Sequence, residues 1–217
     1  MLKVAVIGSG AISRAHIDSY LRFKDRCKIV AICDLYPEKA EELRKQYGLE
    51  ARIAKDHAEL LLEDVDLISV CTPPYTHADI AVDALNAGKH VVVEKPMASS
   101  LEECDRMNAA AASSGKILSV ISQNRFGDGI RKLKRALDSG LAGRIVHAQV
   151  DSYWWRGYSY YDLWWRGTWE KEGGGCTLNH AVHHIDMLQW LMGMPERVTA
   201  AMSNTAHDNA EVEYLSI

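Results

Sequence analysis

Between residues 2 and 122 the chain repeats one pattern, a short apolar run followed by a stretch of helical periodicity. The runs occupy 4–7, 29–32, 67–70, 91–93 and 117–121, and are rich in valine and isoleucine. They do not alternate with polar residues. A strand wetted on one face alternates, whereas a strand covered on both faces reads as a continuous apolar run. Strands buried on both faces and separated by helices build a doubly wound parallel sheet, which takes its ligands beyond the carboxyl ends of the strands. The predicted helices span 11–23, 37–47, 76–87 and 100–114. Thr76 stands as a candidate N-cap and Gly88 as a C-terminal stop. Ser100 and Glu103 have capping-box spacing.

The pattern breaks near residue 123, so the chain is read as two domains, 1–122 and 123–217. All six tryptophans lie in the second part. There, 144–155 reads as a long strand, and its His147-Ala148-Gln149-Val150-Asp151 alternates as a half-buried antiparallel strand does. An amphipathic helix is predicted over 177–192, then a strand over 197–202. The alternation of 211–217 resembles a strand just beginning. So thin a set of elements leads us to expect an incomplete second domain, or one that leans on a partner. We find no internal repeat.

Composition removes several function classes. A net charge of -4 argues against nucleic acid as a partner, because phosphate recognition needs a basic surface. No apolar run approaches the ~20 residues that cross a bilayer, and the N-terminus lacks a signal-peptide pattern. The five cysteines (27, 33, 71, 104 and 176) form an odd set without a CxxC pair. They read as reduced thiols, and the protein as cytoplasmic.

Three motifs carry chemistry. In the first, Gly8-Ser9-Gly10-Ala11-Ile12-Ser13 follows the first strand and opens a helix. Its glycines allow a tight turn and close approach of a pyrophosphate, which the helix N-terminus then attracts. The same residues also describe a plain glycine turn. Asp34, at the end of the second run, fits an acid that accepts bonds from an adenosine ribose. It would repel a 2′-phosphate, and Leu35 and Tyr36 supply no arginine to hold one, so NAD is favoured over NADP. Asp34 is equally suited to cap a helix.

The second motif is Glu94-Lys95-Pro96, directly after a predicted strand, where the proline restricts the direction of Lys95. A surface lysine in a turn fits the tripeptide as well. The third is a run of three glycines at 173–175 followed by Cys176-Thr177-Leu178-Asn179-His180-Ala181-Val182-His183-His184-Ile185-Asp186. On one helix, Asn179, His183 and Asp186 would share a face. A histidine is a natural acid–base for hydroxyl-to-carbonyl oxidation. His180 and His184 have metal-pair spacing, but no third ligand accompanies them, so no metal is expected.

These motifs arrive in one order: GSGAIS with His16, TPPYTH at 72–77, EKP at 94–96, QNRF at 123–126, WWRGTW at 164–169 and the glycine–histidine stretch at 173–186. In that order the chain resembles the Gfo/Idh/MocA family of NAD(P)-dependent sugar and polyol oxidoreductases over essentially its whole length. The resemblance implies a Rossmann domain and a second α/β domain with an open, mostly antiparallel sheet. It implies that Gly8, Gly10, Ala11 and Ile12 hold the pyrophosphate and Asp34 the ribose. Thr72, Pro73 and His77 would line the dinucleotide cleft. Glu94, Lys95, Gln123, Asn124, Trp165 and Arg166 would lie toward the nicotinamide. Lys95 and His183 would be catalytic, and Lys95, Asn179, His183 and Tyr153 would meet a sugar or polyol. Family members often carry aspartate where this chain has Asn179, and asparagine cannot accept a proton at neutral pH.

The stretch 153–169 holds nine aromatic residues, which suit either stacking on a sugar or packing within the protein. A homo-dimer or tetramer is expected. Two other functions stay open. One is a non-catalytic NAD-binding regulator. The other is NAD-assisted elimination or glycoside cleavage through a transient keto intermediate.

Overall fold

The computed structural model describes residues 1–204 and 207–212, apart from the side chain of Cys176. The chain forms two compact units, Met1–Ile121 and Ser122–Ile217.

The first unit is a six-stranded parallel sheet of β1 (Leu2–Ile7), β2 (Cys27–Cys33), β3 (Arg52–Ala54), β4 (Leu67–Val70), β5 (His90–Val93) and β6 (Leu118–Val120). Its order is β3-β2-β1-β4-β5-β6. This is the doubly wound order, in which the winding reverses between β1 and β4. Helices α1 (Ala11–Leu21), α2 (Pro37–Gln46), α3 (Ala58–Leu61), α4 (His77–Asn86) and α5 (Leu101–Ser114) cover it. One face packs Val6, Ile29 and Ile32 against Ile17 of α1 and Leu43 of α2. The other packs Ile7, Ile68, Val70, Val91 and Val93 against α3, α4 and Met107 of α5. Three alanines of α4, Ala78, Ala81 and Ala84, are buried on that second face and let the helix approach closely. Both faces are covered, which is why the strands carry no polar alternation.

Two elements escaped the sequence reading here. β3 is three residues long at the sheet edge, and α3 only four, too short to leave a periodic signature. The capping box of α5 is present, with the Glu103 N–H donating to Ser100 Oγ at 3.2 Å. Thr76 holds the N-cap position of α4 but its side chain does not cap it: the hydroxyl donates back to Pro73 O at 2.9 Å and Thr72 Oγ1 at 2.7 Å. A short 3₁₀ turn, Pro74–Thr76, precedes α4 instead.

The second unit holds α6 (Asp128–Asp138), α7 (Trp169–Glu172), α8 (Gly175–Asn179) and α9 (Val182–Met192). The sequence reading missed α6, although its apolar Ile130, Leu133 and Leu137 recur at helical spacing. The helix predicted over 177–192 is two, broken at His180–Ala181. The strands expected over 144–155 and 197–202 are not formed among the described residues, apart from a single bridge residue, Met202. A strand exists only through a ladder to a neighbour, and within the described residues these segments have none. The strand start expected over 211–217 lies outside the described residues from 213 onward.

Candidate functional site in the first unit

The carboxyl ends of β1, β2, β4 and β5 lie side by side. Ile7 is in register with Cys33 and Val70, and Val70 with Val93. The ladder continues one residue further. Gly8 N–H donates to Cys33 O at 2.8 Å, Cys71 N–H to Ile7 O at 2.7 Å, and Glu94 N–H to Val70 O at 3.0 Å. The turns that follow therefore leave one edge as neighbours: Gly8–Gly10, Asp34, Thr72–Pro73 and Glu94–Lys95. They flank the β1/β4 reversal, where doubly wound sheets bind ligands.

The glycine turn is shaped for close approach. Gly8 has φ +96°, and a Cβ there would sit 2.7 Å from the Cys71 carbonyl oxygen. Only glycine combines that dihedral with that clearance. Gly10 differs, because a Cβ there would meet nothing within 4 Å. It occupies the N-cap of α1 with no side-chain cap and no acid in the first turn. The first amides of α1, at Ala11 and Ile12, thus face outward without an intrahelical acceptor. Open space in front of orphan N–H groups fits a pyrophosphate. Ser9 Oγ, buried beside them, has no hydrogen-bond partner.

Asp34 binds the turn from the neighbouring strand. One carboxylate oxygen accepts the Ser9 N–H at 2.7 Å, and the other accepts the Tyr36 N–H at 2.9 Å. Both readings of this residue coexist, since it braces the loop and still presents free lone pairs on an exposed edge.

On the far side of the reversal, Glu94 is buried at 5% exposure. Its Oε1 lies 2.9 Å from His16 Nε2, and its Oε2 accepts the Lys95 N–H at 3.1 Å. Burial alone would raise the Glu94 pKa. The hydrogen bond and field of His16, with the N–H and ammonium of Lys95, outweigh it and hold the carboxyl below its ordinary value. His16 Nδ1 in turn meets Ser69 Oγ at 2.8 Å. Lys95 itself is half-buried and precedes a cis peptide to Pro96.

His77 does not line a cleft wall; it is fully buried. Its Nδ1 lies 2.9 Å from Pro96 O and its Nε2 2.8 Å from Thr72 O. It clamps from beneath the two loops that carry Thr72–Pro73 and Glu94–Lys95. Burial, the largest cause, lowers its pKa despite both carbonyls. Cys33 and Cys71 are free thiols with pKa values pushed up to about 12, chiefly by burial, and so have no thiolate character.

The second unit places the remaining candidates. Gln123 is exposed and Asn124 half-buried, on a 3₁₀ turn, Gln123–Phe126. Arg166 is turned into its own unit: Nη1 donates to Glu172 Oε1 at 3.1 Å, and its guanidinium stacks over Tyr160 at 4.0 Å and Trp165 at 4.2 Å. The break before α9 separates Asn179 from the face that carries His183 and Asp186. Asn179 is buried and donates to Glu172 and to Tyr160 Oη. Asp186 is paired with Arg125. His183 is half-buried in the first turn of α9, and Tyr153 is 86% exposed. Glu172 was missed. A lone glutamate before a glycine run carries no sequence signal, yet it is the 1%-exposed hub that also accepts the Gly167 N–H at 2.6 Å. Among the described residues no three metal-ligating side chains cluster.

Residues 2–122 match the profile of an oxidoreductase family with an NAD-binding Rossmann fold, and 130–216 match the Gfo/Idh/MocA C-terminal domain. An inositol 2-dehydrogenase of Burkholderia cenocepacia is 32% identical over 88% of this chain and 55% of its own length. A 2,7-anhydro-N-acetylneuraminate hydratase of Mediterraneibacter gnavus is 30% identical over 94% of this chain and 53% of its own. The WlbA dehydrogenase of Bordetella pertussis, solved with NADH and UDP-GlcNAcA, superposes with a TM-score of 0.93 at 35% identity, covering 98% of this chain and 61% of that one. The chain spans about half the length of the curated relatives it matches. With a glycine turn, an acid ending β2 and a Glu-Lys-Pro loop on one sheet edge, and profiles covering both units, the chain belongs to the Gfo/Idh/MocA oxidoreductase family.

Proposed function

We propose that this chain is the cofactor- and substrate-binding part of an NAD-dependent oxidoreductase acting on a secondary alcohol of a sugar or cyclitol. The observation that carries the reading is the convergence of Gly8–Gly10, Asp34 and Glu94–Lys95 on adjacent loops at the switch point of one sheet. The first unit is the NAD-binding domain and the second the substrate and oligomerisation domain. The protein acts in the cytoplasm as a homo-dimer or tetramer.

The roles follow from the chemistry of each group. Ala11 and Ile12 N–H bind the pyrophosphate, with Gly8 and Gly10 giving it room. Asp34 accepts from the adenosine ribose hydroxyls and repels a 2′-phosphate. Thr72 and Pro73 bound the cleft. Gln123, Asn124 and Trp165 approach the nicotinamide end. NAD, when bound, supplies the acceptor for the hydride of the carbinol carbon. Lys95 Nζ donates to the substrate oxygen and stabilises its developing negative charge. A His183 ring nitrogen takes the hydroxyl proton. Tyr153 offers an exposed ring to the sugar.

A second reading has one finding in its favour, the hydratase among the relatives. In that reading the oxidation is transient and licenses an elimination or hydration. A panel of polyols, hexosides and uronates, incubated with NAD or NADP and followed at the absorbance of the reduced cofactor, separates the two. Continuous accumulation of NADH supports the dehydrogenase. Product without net NADH supports the transient route, and neither outcome with intact NAD binding supports a regulator.

A further inference from the structure

The catalytic loop is anchored by a buried polar chain that the proposed roles leave unused. Its members are Ser69 in the middle of β4, His16 in the second turn of α1, and Glu94 at the end of β5. Ser69 is fully buried, and His16 and Glu94 are 8% and 5% exposed. A carboxylate only accepts, so at Glu94 the hydrogen belongs to His16 Nε2. His16 Nδ1 lies 2.8 Å from Ser69 Oγ, a hydroxyl that can donate or accept. Tyr20, one turn further along α1, also meets Ser69. The chain crosses from α1 through two strands and ends on the backbone N–H of Lys95, 3.1 Å from Glu94 Oε2.

A buried glutamate in so apolar a sheet is costly unless every lone pair is engaged. Stability alone would be served as well by an apolar residue. What the arrangement accomplishes is to fix a carboxylate on the backbone N–H of the lysine. We propose that His16 is a positioning residue for the reaction: through its Nε2 hydrogen bond it holds the Glu94 carboxylate against the backbone N–H of Lys95, and so sets where the Lys95 ammonium points. Ser69 fixes the ring of His16 in turn. This rests on the reading of Lys95 as the group that meets the substrate oxygen.

The titratable neighbours of Glu94 are few. They are His16 from α1, Cys71 beyond β4, His77 from α4, and Lys95. Cys71 stays neutral at working pH because burial pushes it up to about 12. His16 and Lys95 are therefore the groups that hold Glu94 down. With His16 gone, burial of Glu94 is opposed by Lys95 alone, and its pKa rises.

The test has two arms. In the first, the glutamate carboxyls are labelled with ¹³C, the Glu94 resonance is assigned through Glu94→Gln, and it is titrated in wild type, His16→Ala, His16→Gln and Ser69→Ala. The Glu94 midpoint is expected at least about one pH unit higher in His16→Ala. In His16→Gln, whose amide reaches the same oxygen, it returns toward wild type. An unmoved midpoint in His16→Ala overturns the proposal without any assay of turnover, so it stands or falls even if no alcohol is oxidised. In the second arm, kcat is expected to fall on the order of a hundredfold in His16→Ala, with KM for NAD little changed, because small misplacements of a catalytic group cost that much. The acid limb of kcat moves up with Glu94, and His16→Gln recovers part of the loss. If His16→Ala and His16→Gln lose equal activity in proportion to lost melting temperature, His16 is only a core residue. Should His16→Ala fail to fold, Ser69→Ala decides the matter, with an upward shift in the same direction and a loss of about threefold.

Discussion

The two units bury opposite kinds of chemistry. In the first, the buried set is aliphatic, from Val4 and Ile32 to Leu85 and Val93, and its few buried polar groups, Ser9, Ser13, His16, Ser69, His77 and Glu94, lie on the loops of the candidate site or on the strands and helices that carry those loops. In the second, among the described residues, only Tyr161 and Val212 of the apolar side chains are buried. Glu172, Asn179, His180 and His207 are buried with them, while Trp154, Trp155 and Trp164 are 53%, 74% and 60% exposed. The first unit is held by area removed from water, and polar burial there gathers around the candidate site. The second is held by one charged hub, and polar burial there marks structure.

The largest test of that contrast is chemical. Lys95→Ala is expected to lower turnover by roughly 10²–10⁴-fold while leaving NAD affinity within a few-fold of wild type. Stopped assays of turnover and calorimetric titration with NAD measure the two separately. Unchanged turnover removes Lys95 from the mechanism.

Next in size is a paired destabilisation. Leu85→Ala in the first unit opens a cavity in an aliphatic face and is expected to cost about 2–5 kcal/mol in denaturant unfolding. Glu172→Ala in the second strands Arg166, the Asn179 amide and the Gly167 N–H together, and is expected to cost about 3–5 kcal/mol. Leu178→Ala, a half-buried aliphatic of α8 packed against Gly174, should cost far less than Leu85→Ala. If it costs as much, the second unit has an aliphatic core after all and the contrast fails.

How far the sequence could be read follows the same line. Apolar runs buried on both faces leave an unambiguous pattern, so five strands and four helices of the first unit were legible at 2–121. β3 was not, because Arg52-Ile53-Ala54 at an edge is too short to show a period. The site loops were legible because glycine, proline and acid residues punctuate strand ends. The partners of His77 and His16 were not, because nothing in TPPYTH or AISRAH says which group a histidine meets after folding. In the second unit, 144–155 reads as a strand, alternating over 147–151, but has no neighbour among the described residues. Arg166 and Asn179 read as residues facing a ligand and instead face Glu172. Hydrogen-bond hubs leave no periodicity.

The two glycines of the first turn sharpen the comparison within the first unit. Gly8→Ala places a methyl on the Cys71 carbonyl at a left-handed φ and is expected to destabilise by at least about 2 kcal/mol. Gly10→Ala, at φ -71° with open space ahead, is expected to cost the cofactor-free protein far less, only the small preference of a helix N-cap for glycine over alanine, and to weaken NAD binding, because the methyl fills the approach to the helix N-terminus. Thermal melts with and without NAD read both effects. Asp34→Ala should narrow the preference for NAD over NADP by about tenfold, measured as the ratio of the two dissociation constants.

The smallest effect is a dependence on pH, and its direction is fixed by Glu94. The folded state holds this carboxyl below its ordinary value of 4.5, so folding favours the ionised form. A group with a depressed folded pKa contributes stability that is complete above its unfolded pKa and disappears as pH falls through the folded one. Glu94→Gln keeps the shape and removes the titration. The difference in melting temperature between wild type and Glu94→Gln should therefore be level at neutral pH and shrink steadily below about pH 4.5. A difference that grows on acidification would mean that Glu94 is buried in its neutral form. It would then be an ordinary core residue, and the distinction between polar burial around the candidate site in the first unit and polar burial for structure in the second would lose its sharpest example.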